Sequence, residues 1–166
     1  MSNAHPYPDL VDRPEALRLR ELANDLAAVW PTPDVPVDGW MMRPSILRRV
    51  ASEMAARVAG DVDRVIALGP GASVLGSAVS LATGLPFCAV QPDGTSLGAR
   101  HRGETVVVIS VDGERRDPDW LSAFEVAQRL SVVPGASDAH DCEPLITRWP
   151  LRNGPVTPLT KENPND

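Results

Sequence analysis

Lysine is almost missing from this chain. Of the 16 basic residues 15 are arginine, and the one lysine is Lys161, close to the end. Any mechanism that needs a lysine in the folded body is excluded. No run of about 18 apolar residues occurs, and the opening MSNAHPYPDL has no basic stretch followed by an apolar one, so the chain is expected to be soluble and cytoplasmic, with no membrane partner. Cysteine is scarce too: Cys88 sits in the apolar run PFCAV and Cys142 in a polar one, a pattern of reduced thiols rather than of a disulfide. A formal charge of −6 argues against nucleic-acid binding by the whole surface and leaves only local basic clusters. The 166 residues suit a single domain with a proper core.

What is present centres on VIALGPGASVLG, residues Val65 to Gly76. Four apolar residues, a Gly-Pro-Gly turn and an apparent first helical turn predict a buried strand beneath a glycine loop. Its free N–H groups, with the helix dipole, suit an anion. Gly69, Pro70, Gly71, Ala72 and Ser73 are therefore the first candidate site; the competing reading is a turn that merely joins strand to helix. A nucleophile elbow would need glycine at Leu75, which argues against a hydrolase serine. A second strand, Thr105 to Val111, runs into a polar loop holding Asp112, Gly113, Glu114, Arg115 and Arg116. The two strand ends should meet at one edge of a parallel sheet, the usual ligand position in open α/β domains.

In chain order, residues to Val11 read as an extended arm. Asp12 and Glu15 have capping-box spacing before an amphipathic helix from Pro14 to Trp30. A proline-rich connector follows to Asp38, then a short extended piece at Gly39 to Met42. Pro44 opens a helix that Gly60 ends, with Arg48, Arg49, Glu53 and Arg57 on a solvated face. Strands are expected at Asp63–Leu68, Leu85–Gln91, Thr105–Val111 and Pro144–Trp149. Helices are expected at Ser73–Thr83 and from Pro118 to Leu130, the latter capped by Asp117. Pro92 to Gly103 reads as a flexible loop. His140, Asp141, Cys142 and Glu143 are metal-like in type, but they are adjacent and have no second cluster at ligand spacing. The fold class is α/β: a mainly parallel, twisted sheet of four or five strands with helices on both faces, over residues 1–150, followed by a loose tail at 151–166.

DRVIALGPGASVLGSAVSLATGLPFCAV and GETVVVIS resemble the type I phosphoribosyltransferases, and orotate phosphoribosyltransferase in particular, over roughly Gly39 to Trp149. The resemblance implies transfer of ribose 5-phosphate from Mg²⁺-bound phosphoribosyl pyrophosphate (PRPP) to a base. It also implies a homodimer, and a small hood over the site formed by residues 1–60. The glycine loop matches the family's pyrophosphate loop. The family's adjacent ribose-binding acids fall here at Ser110 and Val111, and its Thr-Thr-Gly-Gly phosphate loop falls at Glu114, Arg115, Arg116, Asp117 and Pro118. Its mobile-loop lysines fall at Arg100, His101 and Arg102. With three elements altered, the expectation is a divergent orotate phosphoribosyltransferase-like protein that keeps a pocket for a phosphate-bearing ligand and has lost normal transfer. Two alternatives stand beside it: an active transferase with a shifted site using Asp112, Glu114 and the arginines, and a non-catalytic interaction module.

Overall fold

The computed structural model describes residues 14–30, 38–114, 116–135 and 141–147. The N-terminal arm, the Asp12 cap, Arg115, His140, the last residues of the expected final strand and the C-terminal tail lie outside them. The elements are α1 (Glu15–Val29), α2 (Asp38–Met41), α3 (Pro44–Ala55), β1 (Arg64–Leu68), α4 (Ala72–Thr83), β2 (Phe87–Val90), β3 (Ser96–Leu97), β4 (Thr105–Ser110), a 3₁₀ turn (Asp119–Ala123), β5 (Glu125–Ser131) and β6 (Glu143–Pro144). Among the described residues no helix is long and apolar enough to cross a membrane.

The six strands form one sheet in the order β3-β2-β1-β4-β5-β6, parallel throughout except for the β2–β3 pair. The α/β class read from the sequence is the observed one. β1 and β4 are apolar on both sides because both sheet faces are covered. Val65, Ala67, Val107 and Ile109 face the helical layer, where Leu22 and Leu26 of α1, Val50 and Met54 of α3, and Leu75 and Val79 of α4 complete the larger core. Ile66, Leu68, Val106 and Val108 face the other way and are covered by Leu121 of the 3₁₀ turn, with Trp120, Phe124 and Val126 packed at its edge.

Four expectations about elements are corrected. The expected final strand, Pro144–Trp149, is the two-residue β6, Glu143–Pro144, and the described residues 145–147 are not strand. Residues Gly39 to Met42 are not extended: Gly39 to Met41 lie in α2 and Met42 in the turn that follows, and the single turn of α2 buries Trp40 fully and stacks it on Trp30 with 6.4 Å between ring centroids. The Pro92–Gly103 loop contains an edge strand, β3, antiparallel to β2. The expected helix from Pro118 to Leu130 is a single 3₁₀ turn followed by strand β5. Its apolar spacing is satisfied within the turn, where Trp120 and Phe124 meet edge to face at 5.7 Å. Beyond it the backbone is claimed by β4, whose buried outer edge needs a ladder partner that a helix would not supply. The N-cap of the turn is Pro118, and Asp117, expected to cap a helix, takes a two-pronged ion pair from Arg129 at 2.9 and 2.7 Å.

A register shift opposite Val106/Val107 decides where β5 points its side chains. It pairs Val126 with Val106 and Gln128 with Val107, so Gln128 faces the helices and Arg129 the other side. Gln128 accepts from the Ala59 N–H and donates to the Arg57 carbonyl, fastening the chain just after α3. The charged side of α3 is likewise more than a solvated face: Glu53 binds Arg18, Arg49 binds Asp25, and Arg57 binds Glu15 and Glu143, tying α1 and β6 to α3.

At the other end of the sheet Arg64, 5 % exposed, grips Glu104 through two bonds of 2.7 and 2.9 Å. The Arg64 hydrogen bonds hold the Glu104 carboxyl below its ordinary range despite the opposing effect of burial. A carboxylate lowered in this way adds stability above its unfolded value and loses it as pH falls through its folded one. Glu104→Gln is therefore expected to lower the melting temperature at neutral pH, and to flatten its decline below about pH 4.5. Melting curves from pH 3 to 8 would check this, and an acid limb parallel to the parent's would contradict it.

Candidate functional site

The chain crosses from β2 to the far side of β1 to form β4, so the C-terminal ends of β1 and β4 are adjacent: Leu68 pairs with Ser110. This reversal of strand order is where a crevice forms in open α/β sheets. From β1 the chain turns through Gly69 (φ 84°) and Gly71 (φ 69°), both in the left-handed region that glycine adopts without penalty, and Gly71 is the N-cap of α4. Ser73 receives a hydrogen bond from the Gln91 amide. After β4 the Asp112-Gly113 turn lies directly on the loop after β5: a Cβ on Gly113 would fall 2.7 Å from the Gly135 nitrogen. That close approach leaves room only for glycine and sets the position of Asp112.

The two candidate loops meet, and the second closes the first. Arg116 lies across Gly69, its Nη1 only 3.1 Å from where a Cβ on that glycine would stand. Asp112 holds it there: Arg116 Nη1 donates to Asp112 Oδ1 at 2.8 Å, and the same oxygen accepts the Glu114 N–H at 3.1 Å. That hydrogen bond, aided by the charges of Asp112 and Glu114, raises the Arg116 pKa further, so the guanidinium is permanently charged. Gly71 is covered from the other side by Met41, whose thioether occupies the space a Cβ would need. Between the ends of β1, β4 and β5 the remaining cavity, lined by Leu68, Ser110, Gly113, Glu114 and Cys142, measures about 10 Å³, room for about one water molecule.

Ser110 and Val111, at the positions of the expected acidic pair, are 6 % and 2 % exposed, and Val111 belongs to the main core. A buried valine offers a ribose hydroxyl nothing. Beside the glycine loop the Asp112 carboxylate is bonded to Arg116.

No protein-family model matches the chain, and no curated protein matches it. Solved structures do. The orotate phosphoribosyltransferase of Mycobacterium tuberculosis H37Rv, in complex with inorganic phosphate, aligns at a TM-score of 0.60 and 17 % identity, covering 78 % of this chain and 95 % of its own. Adenine phosphoribosyltransferase from Rhodothermus marinus DSM 4252 aligns at 0.56 and 12 % identity, covering 76 % and 98 %. The UMP synthase of Leishmania donovani aligns at 0.50 and 21 % identity over 63 % of this chain, which spans only 27 % of that protein. The chain has the type I phosphoribosyltransferase fold.

Within that fold the remaining candidates are dispersed. Arg100 lies 4.0 Å over the Trp120 ring on the second sheet face, and the His101 N–H bonds Glu104 beside the start of β4. Arg100, His101 and Arg102 are all exposed, and no bond joins them to the glycine loop among the described residues. Asp141 stands 3.8 Å from Arg129 and Glu143 pairs with Arg57, so the two carboxylates are drawn to different arginines, and burial raises the Cys142 thiol pKa. A groove of about 660 Å³ lies elsewhere, between the 3₁₀ turn and β5, with Leu121, Phe124, Val126 and Arg129 in its lining. Sequence reasoning missed Met41 and Gln91 as members of the site. Met41 reaches Gly71 only through the turn of α2, and no spacing signals that contact.

The Arg116 contact makes a measurable difference at Gly69. Alanine at Gly94, which has φ 84° and open space around it, should cost about 1–2 kcal/mol for the backbone alone. Gly69→Ala has the same φ and must also displace Arg116, so it is expected to cost more. In an Arg116→Ala background that excess should vanish. Urea unfolding of Gly94→Ala, Gly69→Ala, Arg116→Ala and the Gly69→Ala/Arg116→Ala double variant checks this, and equal losses at Gly69 and Gly94 would contradict it.

Proposed function

We propose that the chain is a divergent orotate phosphoribosyltransferase-like protein that binds a phosphate-bearing ligand at Gly69–Ser73 with Arg116, and does not carry out ribosyl transfer. The observation that carries this reading is Arg116 lying across Gly69. A guanidinium at the mouth of a glycine loop offers a phosphate two parallel N–H donors, beside the first turn of α4, where a helix leaves N–H groups without intrahelical partners. Orotate phosphoribosyltransferase of the same fold has been solved with inorganic phosphate and with PRPP.

Loss of transfer follows from what the site does not offer. Transfer relies on positioning the ribose and on stabilising charge that develops at its anomeric carbon. Ser110 and Val111 are buried where paired acids are wanted, and Asp112 is engaged by Arg116. These residues do not fit a Mg²⁺-bound ribose diphosphate as the active family members hold it. In this reading the protein works as a homodimer in the cytoplasm, binding a small metabolite without turning it over.

The interaction-module reading is favoured by Met41, an apolar side chain closed over Gly71 where an anion would lie. Isothermal titration of PRPP with Mg²⁺, beside orotidine monophosphate, separates the two. Micromolar binding of either, lost in Arg116→Gln, is expected for the ligand-binding protein. Silence for both in folded protein would overturn it in favour of the module. Release of pyrophosphate from PRPP in the presence of a base would restore the active-transferase alternative.

A further inference from the structure

We infer that Asp112 is an internal competitor for the ligand: its carboxylate holds one N–H of the Arg116 guanidinium in the empty state and must release that N–H when a phosphate takes both donors of the fork. This rests on the ligand-binding reading above and adds how the site is regulated. The ion pair is four residues apart in sequence and its side chains are partly open, 40 % exposed for Arg116 and 26 % for Asp112. Pairs this exposed contribute about 0–1 kcal/mol, because water screens the attraction and both side chains lose freedom. The latch is therefore weak enough for a multiply charged anion to open, and in its absence Arg116 lies across Gly69.

Opening does not require the loop to unfold. Asp112 Oδ1 also accepts the Glu114 N–H, and Gly113 is packed against Gly135, so the turn keeps its anchors after Arg116 leaves. What changes is the partner of one guanidinium: carboxylate before binding, phosphate after it. Arg116 is thus the residue that touches the ligand, and Asp112 is a residue that sets the threshold for its release.

The consequence is opposite in sign for two neighbouring substitutions. Asp112→Asn keeps the oxygen that accepts from Glu114 and removes the charge that competes for Arg116. It is expected to bind PRPP about two- to fivefold more tightly than the parent, the ratio equivalent to an exposed ion pair. Arg116→Gln is expected to weaken PRPP binding at least tenfold. Titration calorimetry on the full chain reads both, with thermal melting as the check that each variant is folded and Asp112→Ser as the substitute if the asparagine variant is not. Tighter binding in Asp112→Asn, including binding that emerges where the parent shows none, supports the latch. Unchanged or weaker binding in Asp112→Asn, with a parent that binds, overturns the latch and leaves the ligand-binding reading standing. Silence in the parent and in both Asp112 variants overturns the two together.

Discussion

The constraint from which the rest follows is that β1 and β4 are buried on both faces and must find backbone partners on both edges. An unpaired amide or carbonyl in such a strand costs roughly 1–3 kcal/mol. β1 is satisfied by β2 on one side and β4 on the other; β4 is satisfied by β1 and β5. Those three ladders dictate that the chain changes direction at β1, which places the loop after Leu68 beside the loop after Ser110. They also dictate that the segment after the 3₁₀ turn is a strand. The candidate site is thus a by-product of backbone pairing, and its location is set before any of its side chains are considered.

Charge is managed within the body of the chain by arginine, and the geometry shows why lysine would not serve. Arg64 and Arg129 each grip a carboxylate through two N–H groups, and both side chains are mostly buried. A planar fork meets both carboxylate oxygens at once, which a single ammonium cannot do. Arg116 differs from these two in exposure and in geometry: one N–H reaches one oxygen of Asp112, leaving donors of the fork for another acceptor. The arrangement of arginines therefore separates structural clamps at Arg64 and Arg129 from a looser pair at the glycine loop.

Much of this was legible in the primary structure, for identifiable reasons. Runs such as VIALG and TVVVIS declare strands buried on both faces, because no polar residue interrupts them. Gly69 and Gly71 declare a loop with positive φ, since few other residues tolerate it. Leu22, Leu26, Val50, Met54 and Val79 repeat at helical spacing and do lie in one core. The stretch from Trp120 to Leu130 was misleading because its apolar residues fit a helical period nearly as well as a bulged strand, and only the unpaired edge of β4 discriminates between them.

By itself the sequence determined the alternation of buried strands and amphipathic helices, the glycine loop at the end of β1 and the absence of lysine from the body of the chain. These are local matters of hydrophobic period, backbone freedom and residue type. Only the tertiary structure decided that Arg116 lies across Gly69, that Met41 covers Gly71, that Val111 is core and that Arg100 rests on Trp120. Each of those depends on segments distant in sequence or on the exact turn of a loop, and the physical reason is the same in every case. A side chain's partner is chosen by the packing of the backbone beneath it, which no single stretch of residues encodes.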